Sequence, residues 1–255
     1  MVDIHCHILP VLDDGAKTSE EAVEMARIAV SDGITDIIAT PHTYDGFYLQ
    51  RTEIVLKSVT NLQQALDLEE IPLRIHPGSE VHVHSELLEH LYSGQILSLG
   101  NGMKHVLLEF PSAYFPLVSN RVVSHLLARG VTPVIAHPER IEVFRLNPSL
   151  LREWTEQGAI GQVTAGSLLG LFGRTARGCA IDFVKQRLVH VIASDGHHVR
   201  SRRPELSEAY KALTTMIPEE EVEMFRHNAQ AILHGEALQI LSPLTKSKQK
   251  RWFFF

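Results

Sequence analysis

With 255 residues, 44% of them apolar and 21% charged, the chain can bury one large globular core. A formal charge of −6 gives no support to a nucleic-acid-binding surface, and two cysteines, Cys6 and Cys179, form neither a disulfide framework nor a C-x-x-C redox pair. Fifteen histidines are the one compositional departure, and they point to metal chemistry.

No apolar run is long enough to cross a membrane, and acidic residues near the start argue against a signal peptide, so the expected compartment is the cytoplasm. Neither cysteine heads a C-x5-R phosphate loop, because Leu12 and Lys185 stand where the arginine would be. In chain order, Asp3-Ile4-His5-Cys6-His7 reads as a short strand. Alternate side chains of a strand share a face, so His5 and His7 point one way and Cys6 the other. A loop carrying Asp13 and Asp14 follows. Thr18-Ser19-Glu20-Glu21 has the form of a capping box and opens a helix that stops at Gly33.

Ile34 to Thr40 is a second, β-branched strand running into Pro41-His42, and a helix from about Arg51 to Leu68 follows. Leu73 to His76 is a third strand, ending in Pro77-Gly78-Ser79-Glu80, with a short helix from near Ser85. His105 to Phe110 is a fourth strand with Glu109 near its end, followed by a helix from Leu117 to Arg129. Thr132 to Ala136 is a fifth strand, closed by His137-Pro138-Glu139-Arg140. Asn147-Pro148 reads as a cap and first helical residue of a helix ending at Gly158. Ala159 to Thr164 is a sixth strand, leading to a glycine-rich loop, Gly166 to Gly173, and a helix to about Arg187. Val189 to Ser194 is the seventh strand, followed by Asp195-Gly196-His197, and two or three helices reach Leu241.

Strands alternating with helices imply parallel pairing and right-handed crossovers. An open doubly wound sheet fits the alternation as well as a barrel. The barrel is favoured because metal-type ligands follow six of the seven strands, and only a closed barrel gathers that many strand ends around one mouth. The expected architecture is one domain over residues 1–241, with a basic-aromatic tail over 242–255. That tail is expected to fray, with a membrane-surface or partner anchor as its sharper reading.

The residues after strands are His5, His7, Asp14, His42, Glu80, Glu109, His137, Asp195 and His197. Five imidazoles with four carboxylates suit Mn, Fe or Zn better than Mg or Ca, and carboxylates that bridge would serve two or three ions. Asp13 and Glu139 read as supporting groups, and Tyr44, Phe47 and Tyr48 lie near the expected mouth. The remaining histidines read as ordinary polar residues, with His82 and His84, close after Glu80, as candidate rim contacts.

The stretch DIHCHILPVLDDGAKT, with ATPH, GSE, LLEF, AHPER and SDGHH, resembles the polymerase-and-histidinol-phosphatase (PHP) superfamily. Within it, the chain is similar to the bacterial protein-tyrosine phosphatases of capsular and extracellular polysaccharide operons, from Asp3 to about Arg203. It departs at Val11, where the family usually has glycine, and at Arg200, Arg202 and Arg203, where one arginine before prolines is usual. The resemblance implies a distorted (β/α)7 barrel of the PHP type and three divalent ions, Mn2+ first and Fe or Zn as alternatives. His5, His7, Glu80 and Asp195 would hold the first ion. Glu80 would bridge to a second held by Glu109 and His137, and Asp14, His42 and His197 would hold the third. Arg140 would grip phosphate, with Arg202 or Arg203 beside it. The implied substrate is a phosphotyrosyl protein, namely a bacterial tyrosine kinase with a tyrosine-rich tail.

Three dications against four carboxylates leave a net charge of about +2, which suits a phosphate dianion. Water between such ions, its pKa lowered toward about 7, would attack phosphorus in line. A tyrosyl leaving group, with a phenol pKa of about 10, needs less acid assistance than an alkyl alcohol. The nearest rival is a small-molecule phosphatase acting on histidinol phosphate. An amidohydrolase is further away, since it would typically carry a lysine where Glu109 stands and a histidine where the sixth strand runs into Thr164. A metal-stabilised scaffold without activity would be expected to lose ligands, and the set here is complete.

Overall fold

In the computed structural model, which describes residues 1–111 and 114–244, short strands are interleaved with helices. The order is β1 (Val2–Cys6), α1 (Ser19–Ser31), β2 (Asp36–Ala39), β3 (His42–Thr43), α2 (Thr52–Leu68), β4 (Arg74–Pro77), β5 (Glu80–His82), α3 (Leu87–Tyr92) and β6 (His105–Glu109). It continues with α4 (Ser119–Ala128), β7 (Thr132–Ala136), α5 (Glu142–Leu146), α6 (Pro148–Gln157), β8 (Ile160–Thr164), α7 (Ala165–Leu169), α8 (Gly173–Lys185), β9 (Val191–Ala193), α9 (Ser207–Thr214) and α10 (Glu219–His234).

All strand pairs are parallel and fall into two ladders, β1-β2-β4 and β3-β5-β6-β7-β8-β9. This differs from the single closed ladder expected from the sequence. The break has a local cause. β2 gives way to β3 across Pro41, which has no N–H to donate, and β4 ends at Pro77 before β5. Register nevertheless carries across, with Ala39 opposite Pro77 and His42 opposite Glu80. At the other margin β1 meets the segment after β9 through an isolated Cys6–Gly196 bridge. There the His7 N–H donates to the Gly196 carbonyl (2.8 Å) and the Asp195 N–H to the His5 carbonyl (2.9 Å).

The strands are covered on both faces, which is why they read as near-continuous apolar runs. Ile4, Ile38, Leu107, Val134, Ile160 and Val191 point inward, where Ala229 and Ile232 of α10 close one end. Val106, Leu108, Ile135, Val163 and Ile192 point outward to the helices. Among the described residues, no helix is long and apolar enough to cross a membrane. The basic-aromatic run from Lys246 to Phe255 lies outside the described residues.

Most helix ends follow the local chemistry. Thr18 caps α1 by accepting from the Glu21 N–H (3.2 Å), while the Glu21 carboxylate accepts from Lys17 N rather than from the cap itself. Asn147 precedes α6 but caps no backbone group with its side chain. The expected glycine-rich loop begins as the short helix α7, which ends at Gly170 with φ +91°.

Candidate metal centre

At the C-terminal ends of the strands, all nine ligand-type side chains come together, each within 3.5 Å of at least one other. β1 delivers His5 and His7, whose Nε2 atoms are 3.1 Å apart. Oε2 of Glu80, at the start of β5, is 3.2 Å from the first and 3.3 Å from the second. Oδ1 of Asp195, after β9, is 3.5 and 3.6 Å away from them. Ligands about 2.1 Å from one ion at tetrahedral angles lie about 3.4 Å apart, so these separations are those of a coordination shell. Around this core, His137 Nε2 is 2.8 Å from Glu80 Oε1, and His42 Nδ1 is 3.1 Å from Glu80 Oε2 and 3.4 Å from Glu109 Oε2. Asp14 Oδ1 is 3.3 Å from His197 Nε2 and 3.5 Å from His42 Nε2.

Hydrogen bonds decide which nitrogens face the centre. His5 Nδ1 donates to Gln162 Oε1 (3.0 Å), His7 Nδ1 to Asp13 Oδ2 (2.7 Å) and His197 Nδ1 to the Asp195 carbonyl (2.9 Å). Each bond fixes the tautomer and leaves Nε2 with a bare lone pair aimed inward. Lone pairs facing one another and facing carboxylates are held together only by positive charge between them. Among the described residues, Glu80 Oε2, His42 Nδ1, His197 Nε2 and Asp14 Oδ1 are buried without a hydrogen-bond partner, as atoms reserved for an ion would be. Three overlapping groups could each hold a metal: His7, Asp14, His42 and His197; His5, His7 and Glu80; and His42, Glu80 and Glu109.

Proton affinities report the same field. Burial alone would lower the histidines, but Glu80 and Asp195 outweigh it at His5, and Asp13 and Glu80 do so at His7, so both are raised. His42 is pushed up to about 9, burial being overcome by Glu80 and Glu109. Glu80 and Asp195 are held below the carboxylate range despite burial, by His5 and His42 for the first and His5 and Arg140 for the second. His197 goes the other way, to about 4, through burial and the neighbouring His7. At His5, His7 and His42 protons are thus drawn to the places where a cation would sit.

Asp195 divides its two oxygens. Oδ1 faces the histidines, while Oδ2 accepts from Arg140 and forms an ion pair with Arg202 at 2.6 Å. Arg203 instead pairs with Glu205 (3.0 Å) on the surface. His137 and Asp195 both have left-handed backbones, φ +32° and +53°, a strain located at the two ligand-bearing turns. An open cleft of about 380 Å³ leads in, lined by His42, Phe47, His82, Glu109, His137 and Arg140 among others. Phe47 is 92% exposed there, whereas Tyr44 is turned aside and stacks on His84 and His90, both with centroids 4.5 Å away.

Several supporting residues were not singled out from the sequence. Gln162 accepts from both His5 Nδ1 and the His137 N–H. Asp3 accepts from the backbone N–H groups of Ser194 (3.0 Å) and His5 (3.3 Å), and burial pushes it up to about 6. The available signal was a polar residue inside an apolar strand, which needs a partner. Glu139, read as a supporting group, accepts from the Thr164 N–H at the start of α7. Asp13 accepts from the Gly15 and His42 N–H groups as well as from His7.

Comparison with known proteins supplies the context. The family described as "Capsular polysaccharide synthesis, CpsB/CapC" matches residues 1–234. A relative named tyrosine-protein phosphatase YwqE, from Bacillus subtilis, is 40% identical over 255 residues, covering 100% of both chains. Tyrosine-protein phosphatase CpsB of Streptococcus agalactiae is 31% identical over 239 residues, or 91% of this chain and 98% of that one. A solved structure described as YwqE from Bacillus subtilis and CpsB from Streptococcus pneumoniae, "unique metal-dependent tyrosine phosphatases", superposes with a TM-score of 0.92 at 40% identity. It covers 95% of this chain and 98% of that chain. A β-aspartyl dipeptidase from Fervidobacterium islandicum shares the fold alone, with a TM-score of 0.55 at 14% identity over 95% of this chain and 75% of that chain.

Proposed function

The chain belongs to the CpsB/CapC family of capsular polysaccharide synthesis, and from that premise we propose that it is a metal-dependent protein-tyrosine phosphatase. The observation that carries this reading is the convergence of His5, His7, Glu80 and Asp195 at coordination-shell separations, with two guanidiniums on the far side of the same carboxylate. We assign three divalent ions, Mn2+ foremost and Fe or Zn as alternatives. His5, His7, Glu80 and Asp195 would hold one, Glu80, Glu109 and His137 a second, and Asp14, His42 and His197 a third. The two ladders then form one interrupted (β/α)7 barrel of the PHP type.

Ions held there would supply hydroxide near neutral pH, by lowering the pKa of water, and a Lewis acid for the phosphoryl oxygens. The rest is done by the chain. Arg140 and Arg202 bind the phosphate through paired N–H donors and neutralise charge growing on its equatorial oxygens. Asp195 keeps both guanidiniums aimed at that position before substrate arrives. Asp13, Gln162 and the Asp195 carbonyl keep His7, His5 and His197 in the tautomer that leaves Nε2 free. The aryl group leaves along the cleft past Phe47. No cysteine is needed, and both cysteines have their thiols raised, chiefly by burial, so neither is a ready nucleophile.

The substrate we infer is a phosphotyrosyl protein, a bacterial tyrosine kinase with a tyrosine-rich tail, met in the cytoplasm. The histidinol-phosphate alternative is not favoured, since the relatives are named for tyrosine phosphatase activity. Turnover of a phosphotyrosyl peptide should exceed that of histidinol phosphate by orders of magnitude and should vanish with chelator. Equal turnover of the two would return the reading to a small-molecule phosphatase.

A further inference from the structure

Arg140 and Arg202 share more than Asp195. The Arg140 guanidinium carbon lies 4.5 Å from the centroid of the Phe172 ring, and that of Arg202 lies 5.7 Å from it. Both fall within the distance at which a cation is attracted by the ring's quadrupole. Phe172 belongs to the glycine-rich segment between α7 and α8, which the metal centre leaves unexplained. Gly170 and Gly173, with φ +91° and +84°, bracket Leu171 and Phe172, so the chain reverses tightly on either side of the ring. A Cβ on Gly166 would come within 3.1 Å of Phe172 Cε2 and 3.0 Å of Leu171 Cδ2, so the bare backbone there leaves space for the ring to settle. Leu171 is 55% exposed while Phe172 is half-buried with both guanidiniums within reach of its ring, so the loop selects which of its two apolar side chains meets the arginines.

We propose that Phe172 is a positioning residue for substrate phosphate, a cation–π platform that holds the Arg140 and Arg202 guanidiniums side by side. Two like charges repel, and Asp195 is the carboxylate that pairs with both. A phosphate dianion draws on the same N–H donors, weakening their hold on Asp195. The ring face does not compete for those donors, so it keeps both side chains in place while they turn to the phosphate. This rests on the reading that Arg140 and Arg202 bind phosphate, and it assigns the loop a role in recognising the phosphate rather than in holding metal.

The test uses Mn2+-loaded full-length protein with p-nitrophenyl phosphate as substrate and inorganic phosphate as inhibitor. Phe172→Leu keeps apolar bulk and removes the ring, Phe172→Trp keeps a ring, and Arg140→Ala and Arg202→Ala test the underlying reading. Phe172→Leu should raise KM and the phosphate inhibition constant by roughly five- to tenfold with kcat within about twofold, at unchanged metal content and Tm. Phe172→Trp should restore most of the loss. If Arg140→Ala and Arg202→Ala weaken phosphate inhibition but Phe172→Leu does not, the platform is refuted while the arginine reading stands. If neither arginine variant weakens it, the arginine reading itself fails. A loss in Phe172→Leu that follows metal content or Tm instead would make Phe172 a structural residue and overturn the proposal.

Discussion

At the scale of single residues, the centre depends on hydrogen bonds that select one nitrogen of each imidazole. Gln162→Leu removes the acceptor for His5 Nδ1 and for the His137 N–H, and should weaken metal affinity by roughly 10–100-fold while the fold persists. Isothermal titration of the metal-free protein with Mn2+ measures this, and unchanged affinity would show that the tautomer is fixed in another way. Val11 is a second informative position. Its φ is +65° and its side chain is 75% exposed, so a β-branched residue holds a left-handed backbone with no packing to compensate. Val11→Gly should stabilise the protein by up to about 1 kcal/mol, relief of strain outweighing glycine's extra chain entropy. A lowered urea midpoint in the variant would contradict that. The family resemblance led to an expectation of glycine at this position, but the backbone angle that would favour it was not legible in the sequence. Arg202 and Arg203 are the reverse case. They are identical neighbours, and the turn in which the N–H groups of His197 and His198 donate to the Arg202 carbonyl decides which one reaches Asp195.

At the scale of strands, a buried histidine is raised where carboxylates outweigh burial and lowered where burial prevails, as it does at His197. His5, His7 and His42, at C-terminal ends, are raised by carboxylates that outweigh burial. His105 opens β6 and His190 precedes β9, and burial lowers both to about 4. A raised histidine adds stability below its unfolded pKa of about 6.5, and that contribution is lost as pH rises through the folded value, about 9 for His42. A lowered one adds stability above about 6.5, lost as pH falls toward 4. The metal-free protein should therefore melt highest near pH 6.5 and lose stability on both sides, and added Mn2+ should move the maximum upward, since ions displace the protons. Thermal melts between pH 5 and 9, with and without metal, test this, and a metal-free optimum above pH 8 would contradict it. The strands themselves were readable because most apolar runs end in a ligand or a proline, β8 being the exception as it runs from Thr164 straight into α7. β3 and β5 were not, because two or three residues give no periodicity and exist as strands only through each other's pairing.

At the scale of the whole molecule, ligands from residue 5 to residue 197 meet because parallel strands put every C-terminal end on one side. Their convergence could be anticipated from ligand types after strands, whereas the cleft wall could not, since it depends on loop conformation. Phe47 stands almost fully exposed on that wall, with its N–H and that of Tyr48 donating to Asp45. Phe47→Ala should lower kcat/KM for a phosphotyrosyl peptide several-fold and leave a small alkyl phosphate unaffected. Equal losses for both would remove Phe47 from aromatic recognition. Phosphotyrosine hydrolysis driven by ions that these side chains gather is tested most directly by stepwise Mn2+ reconstitution of chelator-stripped protein, with bound metal and phosphotyrosyl-peptide turnover followed in the same samples. The expected result is no turnover without metal, rising to a plateau at three bound ions, and loss of both binding and turnover in Glu80→Gln. Metal-free protein that hydrolyses the peptide at the full rate would contradict it.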